Sequence, residues 1–247
     1  MRTSREWAEY FQQNERTLLG IPWELGGDLT PAEIAAISAS VQEFQAGESS
    51  EGRHLIRYAR EYAARSGDVF YLDAIRGLIA EEHRHARDLG RIMQLNGIPA
   101  VKTTFADRVF RFLRNFMGGL EISVTVLVMA EIIAKVYYAA LREATRSIVL
   151  RRLCDQILCD EVRHVEFQTD QLVRLRSDRG AFGRGLTMIL QVVLFSVTIG
   201  VVWLGHRRAL ARGGYPARRW AADCWQEFRD AFAATPVPVE APVAAGR

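Results

Sequence analysis

The sequence EEHRH at residues 81–85 and the sequence DEVRH at residues 160–164 follow one pattern. An acidic residue is followed by a glutamate, and a histidine comes three positions after that glutamate. Residues three apart lie on one face of an α-helix, so each stretch can present a carboxylate and an imidazole to the same point. The paired residues are Glu82 with His85 and Glu161 with His164. The repetition of this pattern on two helices predicts a metal site shared between them.

A further glutamate precedes each pair at almost the same distance. Glu51 lies 31 residues before Glu82, and Glu131 lies 30 residues before Glu161. Because a helix rises about 1.5 Å per residue, similar tight turns place each upstream glutamate level with its Glu-x-x-His pair. Glu131 also interrupts the apolar run VTVLVMAEIIAKVYYAAL, where an unpaired carboxylate is costly. The predicted metal ligands are Glu51, Glu82, His85, Glu131, Glu161 and His164.

The chain as a whole indicates an all-α protein, because runs of strict apolar–polar alternation are scarce. Residues 1–30 are predicted to hold a short helix and a loop, and residues 31–177 to hold four long helices. Residues 178–234 are expected to form a helical extension that includes one apolar helix. The Pro/Ala-rich tail, residues 235–247, is predicted to be disordered.

The loop lengths predict how the four long helices are connected. The first is expected to span residues 31–66, with bends at Gly47 and Gly52. Tight turns join the first helix to the second and the third to the fourth. Residues 97–118 form a longer connection, with a short basic and aromatic helix at about 108–116. Two helical hairpins joined by one long crossover form a ferritin-like four-helix bundle, to which the C-terminal helices are additions.

With these residues the chain resembles the ferritin-like di-iron carboxylate superfamily, which includes ferritins, rubrerythrins, ribonucleotide reductase small subunits and bacterial multicomponent monooxygenases. The resemblance covers residues 31–177 and implies that the six predicted ligands hold two iron ions. Four carboxylates and two imidazoles also suit a mixed manganese–iron or a di-manganese centre. The resemblance further implies that the acidic residue before a ligand glutamate accepts a hydrogen bond from a histidine of another helix. The two such residues are Asp160 and Glu81, of which Asp160 is favoured.

Four other residues are candidates for places near the metals. Glu48 shares a helix face with Glu51 and could replace it, although its spacing of 34 residues to the Glu-x-x-His pair matches the other hairpin less well. His54 forms a third Glu-x-x-His with Glu51 and is expected behind the ligands or on the surface. Tyr58 and Tyr138 each follow an upstream glutamate by seven residues. They could be redox-active, could hydrogen-bond near the metals, or could belong to the aromatic core.

Composition narrows the classes of partner. The 247 residues include 32 basic and 29 acidic ones, and a net charge of +3 is too even to favour nucleic acid. Three cysteines without a CxxC pair, and an N-terminus without an apolar signal region, predict a cytoplasmic protein. Residues 185–205 are uncharged and bracketed by arginines. They predict either a peripheral or single-span membrane contact, or a helix buried on the bundle or in a homodimer.

The resemblance implies a non-haem di-iron oxidoreductase that uses dioxygen as a hydroxylase, desaturase or oxidase. Its small organic substrate is not identified, an external electron donor is expected, and no catalytic residue beyond the metal ligands stands out. The alternatives are an iron-handling protein (ferroxidase or peroxide scavenger) and a non-enzymatic, metal-stabilised or membrane-associated interaction protein. An apolar cavity beside the metals would favour the oxidoreductase. The candidate wall residues are Val124, Leu127, Val128, Ala134 and Tyr138.

Overall fold

The computed structural model describes residues 1–49, 52–101, 119–177 and 179–233, and over these ranges it is helical and contains no strand. The prediction of an all-α protein is therefore confirmed for the described chain. The helices are α1 (Ser4–Asn14), α2 (Pro31–Glu48), α3 (Arg53–Ser66), α4 (Val69–Leu95), α5 (Leu120–Ala144), α6 (Ile148–Leu175), α7 (Ala181–Arg212) and α8 (Ala217–Ala233). The basic aromatic segment 108–116 and the tail 235–247 lie outside the described residues.

The prediction of one continuous helix over residues 31–66 is wrong. Helix α2 ends at Glu48 and α3 begins at Arg53, so the chain leaves helical geometry between them. Gly52 has φ of +59°, in the left-handed region that a side chain disfavours. A β-carbon at Gly52 would also lie 2.5 Å from the Cδ1 atom of Ile79 on α4. Glycine thus permits a break that lets the chain approach α4 closely.

The start of α2 is held by a capping box that the sequence contains. The hydroxyl of Thr30 accepts from the backbone N–H of Glu33, and the Glu33 carboxylate accepts from the backbone and hydroxyl of Thr30. The same carboxylate accepts from the backbone N–H of Arg146, at 2.7 Å, in the turn between α5 and α6. Burial raises the pKa of Glu33, but these hydrogen bonds outweigh it and lower the value to about 2. The carboxylate of Glu33 therefore joins the start of α2 to the turn between α5 and α6.

Four helices contact one another in a closed ring. Helix α2 packs on α4, α4 on α6, α6 on α5, and α5 on α2. Helix α1 lies across α4, where Gly77 makes room: a β-carbon there would lie 2.5 Å from Cβ of Phe11. Helix α3 also packs on α4, and α7 and α8 pack on α5. The ring surrounds the cluster of glutamates and histidines described below.

Among the described residues, two helices are long and apolar enough to cross a membrane, and they differ in burial. The span Leu120–Ala144 is 72% buried, as expected for a core helix of a folded protein. The span Gly185–Arg212 is only 22% buried. Helix α7, which carries that second span, packs on α2, α5 and α8 through one face and leaves the other uncovered. The described chain alone therefore does not bury the helix at 185–205, and the predicted membrane contact or homodimer contact stays a prediction.

Candidate metal centre

The closed ring brings carboxylates and imidazoles from four helices to one buried point. Two groups of side chains have ligand atoms within 4.8 Å of one another. The first group is Glu48, Glu82, His85 and Glu161, and the second is Glu82, Glu131, Glu161 and His164. Each group holds three carboxylates and one imidazole, and Glu82 and Glu161 belong to both. Two cations that share Glu82 and Glu161 as bridging ligands fit this arrangement.

Each histidine is held from behind by the acidic residue of the other Glu-x-x-His helix. Nε2 of His85 on α4 lies 3.0 Å from Oδ2 of Asp160 on α6. Nε2 of His164 on α6 lies 2.9 Å from Oε2 of Glu81 on α4. An Nε2–H that donates to a carboxylate leaves Nδ1 as the free lone pair, directed at the cluster. The structure therefore places Glu81 in the position that the sequence favoured only for Asp160.

A residue that the sequence analysis did not single out joins these two carboxylates. The side-chain amide of Asn14, at the end of α1, donates to Oε1 of Glu81 at 2.6 Å and to Oδ1 of Asp160 at 2.8 Å. Arg84 and Gln156 also donate to Asp160, at 2.7 and 2.9 Å. Burial raises the pKa of Asp160, but the contacts with His85 and Arg84 hold it well below its usual value. Asp160 is thus a fixed negative charge behind the site.

The atoms that face the centre have no hydrogen-bond partner among the described residues. They are Nδ1 of His85 and of His164, both carboxylate oxygens of Glu161, and Oε1 of Glu82. Nδ1 of His164 lies 3.4 Å from Glu161 and 3.0 Å from Glu82, and Nδ1 of His85 lies 3.8 Å from Glu161. Buried polar atoms in folded proteins are almost always paired. A convergent set of unpaired lone pairs is what a bound cation satisfies, so these residues fit a metal pair.

The electrostatics of the cluster also favour a bound cation. Burial raises the pKa of Glu48 well above its usual value, and the nearby charge of Glu82 raises it further. Burial and the charge of Glu131 likewise raise the pKa of Glu161 well above its usual value. Burial opposes ionisation of His164, but the surrounding carboxylates of Glu131, Glu161 and Glu81 raise its pKa well above the usual value. The pocket thus favours added positive charge.

The two outer carboxylates have different partners. Oε1 of Glu48 accepts a hydrogen bond of 2.6 Å from the hydroxyl of Tyr138, which is fully buried. Oε1 of Glu131 accepts one of 2.7 Å from the side-chain amide of Gln168, one helical turn beyond His164 on α6. Tyr138 therefore combines a hydrogen-bonding role near the cluster with a place in the core. Gln168 was missed, although its spacing from His164 puts it on the same helix face.

Two of the sequence-predicted residues, His54 and Tyr58, lie outside the cluster. Glu51 lies outside the described residues, and Glu48 is the described glutamate of α2 that belongs to the cluster. His54 is exposed on α3 and lines a cavity beside the cluster. Tyr58 is half-buried under the guanidinium of Arg57, at 4.8 Å, and is not part of the cluster.

A cavity of about 220 Å³ opens beside the cluster. The carboxylates of Glu48, Glu82 and Glu131 form one part of its wall. Another part of the wall is apolar and comes from α4, α5 and α7, including Leu78, Ile79, Val126, Leu127, Ala134 and Val202. Leu127 and Ala134 were predicted as walls, whereas Val124 and Val128 pack into the core instead. The cavity can hold an apolar group next to the cluster.

At another part of the cavity wall lies His206, a buried polar side chain from α7. Its Nδ1 lies 2.8 Å from the hydroxyl of Ser40, which also donates to the hydroxyl of Tyr137. Its Nε2 lies 3.5 Å from a carboxylate oxygen of Glu43. Burial lowers the pKa of His206 to about 4, so the imidazole is neutral near pH 7. The imidazole of His206 is therefore a neutral hydrogen-bonding group in the cavity wall.

No protein-family model, curated protein or solved structure matches this chain. The described residues show an all-helical protein with a buried cluster of glutamates and histidines that could bind metal. This is compatible with the ferritin-like resemblance of the sequence.

Proposed function

We propose that the chain is a ferritin-like, four-helix-bundle protein with a di-iron centre, and that it is an oxidoreductase that uses dioxygen to oxidise a small organic substrate. The observation that carries the proposal is the pair of ligand groups sharing Glu82 and Glu161, whose inward atoms lack hydrogen-bond partners beside an apolar cavity. Carboxylate and imidazole ligands suit iron or manganese better than a thiolate-preferring metal.

Each side chain has a role that follows from its position. Glu82 and Glu161 would bridge the two cations, and His85 and His164 would each bind one through Nδ1. Glu48 would complete the ligand group that contains His85, and Glu131 would complete the group that contains His164. A bound pair of ferrous ions supplies the coordination positions and electrons with which dioxygen is reduced. The chain holds the ligands in place and keeps the site dry.

The cavity supports oxidation of an organic molecule over iron storage. Its walls next to Glu131 are apolar, so they can exclude water from the reacting region and hold a carbon skeleton beside the cluster. With Nδ1 of His206 donating to Ser40, Nε2 of the neutral imidazole can accept a hydrogen bond from a substrate hydroxyl group. Turnover of a hydroxylase or desaturase consumes two further electrons, for which we propose an external donor protein.

The experiment compares the intact protein with two variants of α6. Glu161→Ala removes a bridging carboxylate that is fully buried, and Glu166→Ala removes an exposed carboxylate paired with Arg163 on the same helix. Protein made in iron-supplemented medium should hold roughly two iron ions per chain in the intact form and in Glu166→Ala, and none in Glu161→Ala. Removal of Glu161 relieves repulsion among buried carboxylates, so far-ultraviolet circular dichroism should show an intact fold.

The same preparations separate the oxidoreductase from the alternatives. After anaerobic reduction, oxygen should produce a near-ultraviolet absorption band in the intact protein, and oxygen uptake should stop when the bound iron is oxidised. Continued uptake with excess ferrous iron, together with accumulation of ferric mineral, would favour iron handling. Absence of bound iron and manganese in the intact protein would overturn the proposed centre, and metal content without oxygen uptake would favour a non-enzymatic metal-stabilised protein.

A further inference from the structure

The outer face of α7 holds most of the exposed apolar surface of the described chain. Ten of its eighteen exposed large apolar side chains lie on this one helix, so the exposure is concentrated rather than scattered. The ten are Phe182, Leu186, Met188, Ile189, Leu190, Val192, Val193, Val197, Val201 and Leu204. Their spacing of three and four residues forms a continuous stripe along the helix. Such a patch on a soluble protein marks a surface that contacts something else.

The opposite face of α7 excludes a transmembrane helix. Gln191, Phe195, Ile199 and His206 are buried against the rest of the protein along most of the length of α7. Helices α2 and α8 cover that inner face, and α8 carries exposed charged residues such as Arg218. Charged side chains at bilayer depth are costly, so a neighbouring helix with exposed charges argues against a spanning position of α7. An apolar stripe on a helix that is otherwise packed on a water-soluble body fits a position parallel to a membrane surface.

The charges of α7 indicate the kind of membrane. The helix contains no aspartate or glutamate, and its four charged residues are all arginines. Arg207 and Arg208 are exposed and lie three and four residues after Leu204, the last apolar residue of the stripe. Arginines beside a membrane-bound apolar stripe attract anionic lipid headgroups.

We infer that α7 docks the protein on an anionic phospholipid bilayer, with the apolar stripe in the headgroup and upper acyl region and Arg207 and Arg208 at the headgroups. This docking does not depend on the proposed metal centre, because none of the stripe residues contributes a candidate ligand.

The test is flotation of the full chain with vesicles of phosphatidylcholine alone or mixed with phosphatidylglycerol. The intact protein should float with the mixed vesicles, and added salt should reduce this binding. Val193→Glu with Val197→Glu should weaken binding to both vesicle types by at least about tenfold, because two exposed apolar residues of the stripe become charged. Arg207→Gln with Arg208→Gln should weaken binding to the mixed vesicles by roughly thirtyfold, since each arginine near an anionic surface contributes roughly fivefold.

The matched control is Ile148→Glu with Val162→Glu, which places the same two charges on exposed apolar residues of α6. Its binding should equal that of the intact protein. Failure of the intact protein to float, or equal flotation of Val193→Glu with Val197→Glu, would overturn the proposal. A vesicle-free dimer that these two substitutions dissociate, together with no vesicle binding, would instead assign the stripe to a second copy of the chain.

Discussion

Asn14→Ala should weaken the metal centre, although Asn14 hydrogen-bonds to none of the described candidate metal ligands. The asparagine amide donates to Glu81 and Asp160, which are 3% and 1% exposed and which hold the two histidines. A hydrogen bond to a buried charged group is worth roughly 1.5–3 kcal/mol, and Asn14 is itself only half-buried, so water replaces part of the loss. We expect the variant to lose about 2–4 kcal/mol of unfolding free energy. Loss of a group that holds a metal ligand in place also lowers metal affinity by about 10- to 100-fold.

Two measurements check this expectation. Denaturant unfolding of the metal-free protein gives the change in stability, and competition with a chelator gives the change in iron affinity. Gln12→Ala, an exposed residue on the same helix, is the control and should change neither. If Asn14→Ala unfolds at the same denaturant concentration as the intact protein and binds iron equally well, the proposed support of Glu81 and Asp160 by α1 is refuted.

Three further outcomes follow from the described contacts. The pKa of Glu33 is about 2 in the folded protein against an ordinary 4.5, so its ionised carboxylate stabilises the folded protein above about pH 4.5. About 2 kcal/mol of unfolding free energy should be lost as the pH falls towards 2, and Glu33→Gln should flatten that part of an acid-unfolding curve. Gly77→Ala places a methyl group 2.5 Å from Phe11 and should cost about 1–3 kcal/mol in thermal unfolding, whereas Gly47→Ala, with open space around it, should not destabilise. Tyr138→Phe removes the only described donor to a cluster carboxylate on α2, and iron titration should show roughly tenfold weaker binding of one of two ions with little change in the other.

The sequence predicted the helical class and most of the cluster because both depend on spacing within single helices. Glu82 with His85, and Glu161 with His164, lie three apart on uninterrupted helices, and the structure brings both pairs together. The glutamate of the first hairpin could not be chosen in the same way. Counting 31 residues from Glu51 assumes a rise of about 1.5 Å at every step, whereas Gly52, which follows Glu51, has a left-handed φ of +59°. Glu48, at a spacing of 34, is the described glutamate of α2 that lies in the cluster.

Other parts of the site depend on contacts between distant segments, which spacing within one helix does not reveal. Asn14 reaches the site because α1 lies across α4, and that crossing depends on the close approach of Phe11 to Gly77. The cavity likewise depends on α7 closing against α2 and α5. The apolar run at 185–205 was visible in the sequence, but which side of it faces outward depends on the packing of its neighbours.

The hydrogen bonds of the two histidines are reciprocal between the two hairpins. The hairpin that contains His85 also contains Glu81, the acceptor for His164, and the hairpin that contains His164 also contains Asp160, the acceptor for His85. Each imidazole is therefore oriented by an acidic residue of the other hairpin, and the same contact occurs in both directions. Two copies of one ancestral hairpin, related by a two-fold axis, would satisfy the same rule. The outer carboxylates differ, because Tyr138 supports one and Gln168 the other, so the two metal positions can differ in affinity while sharing one framework.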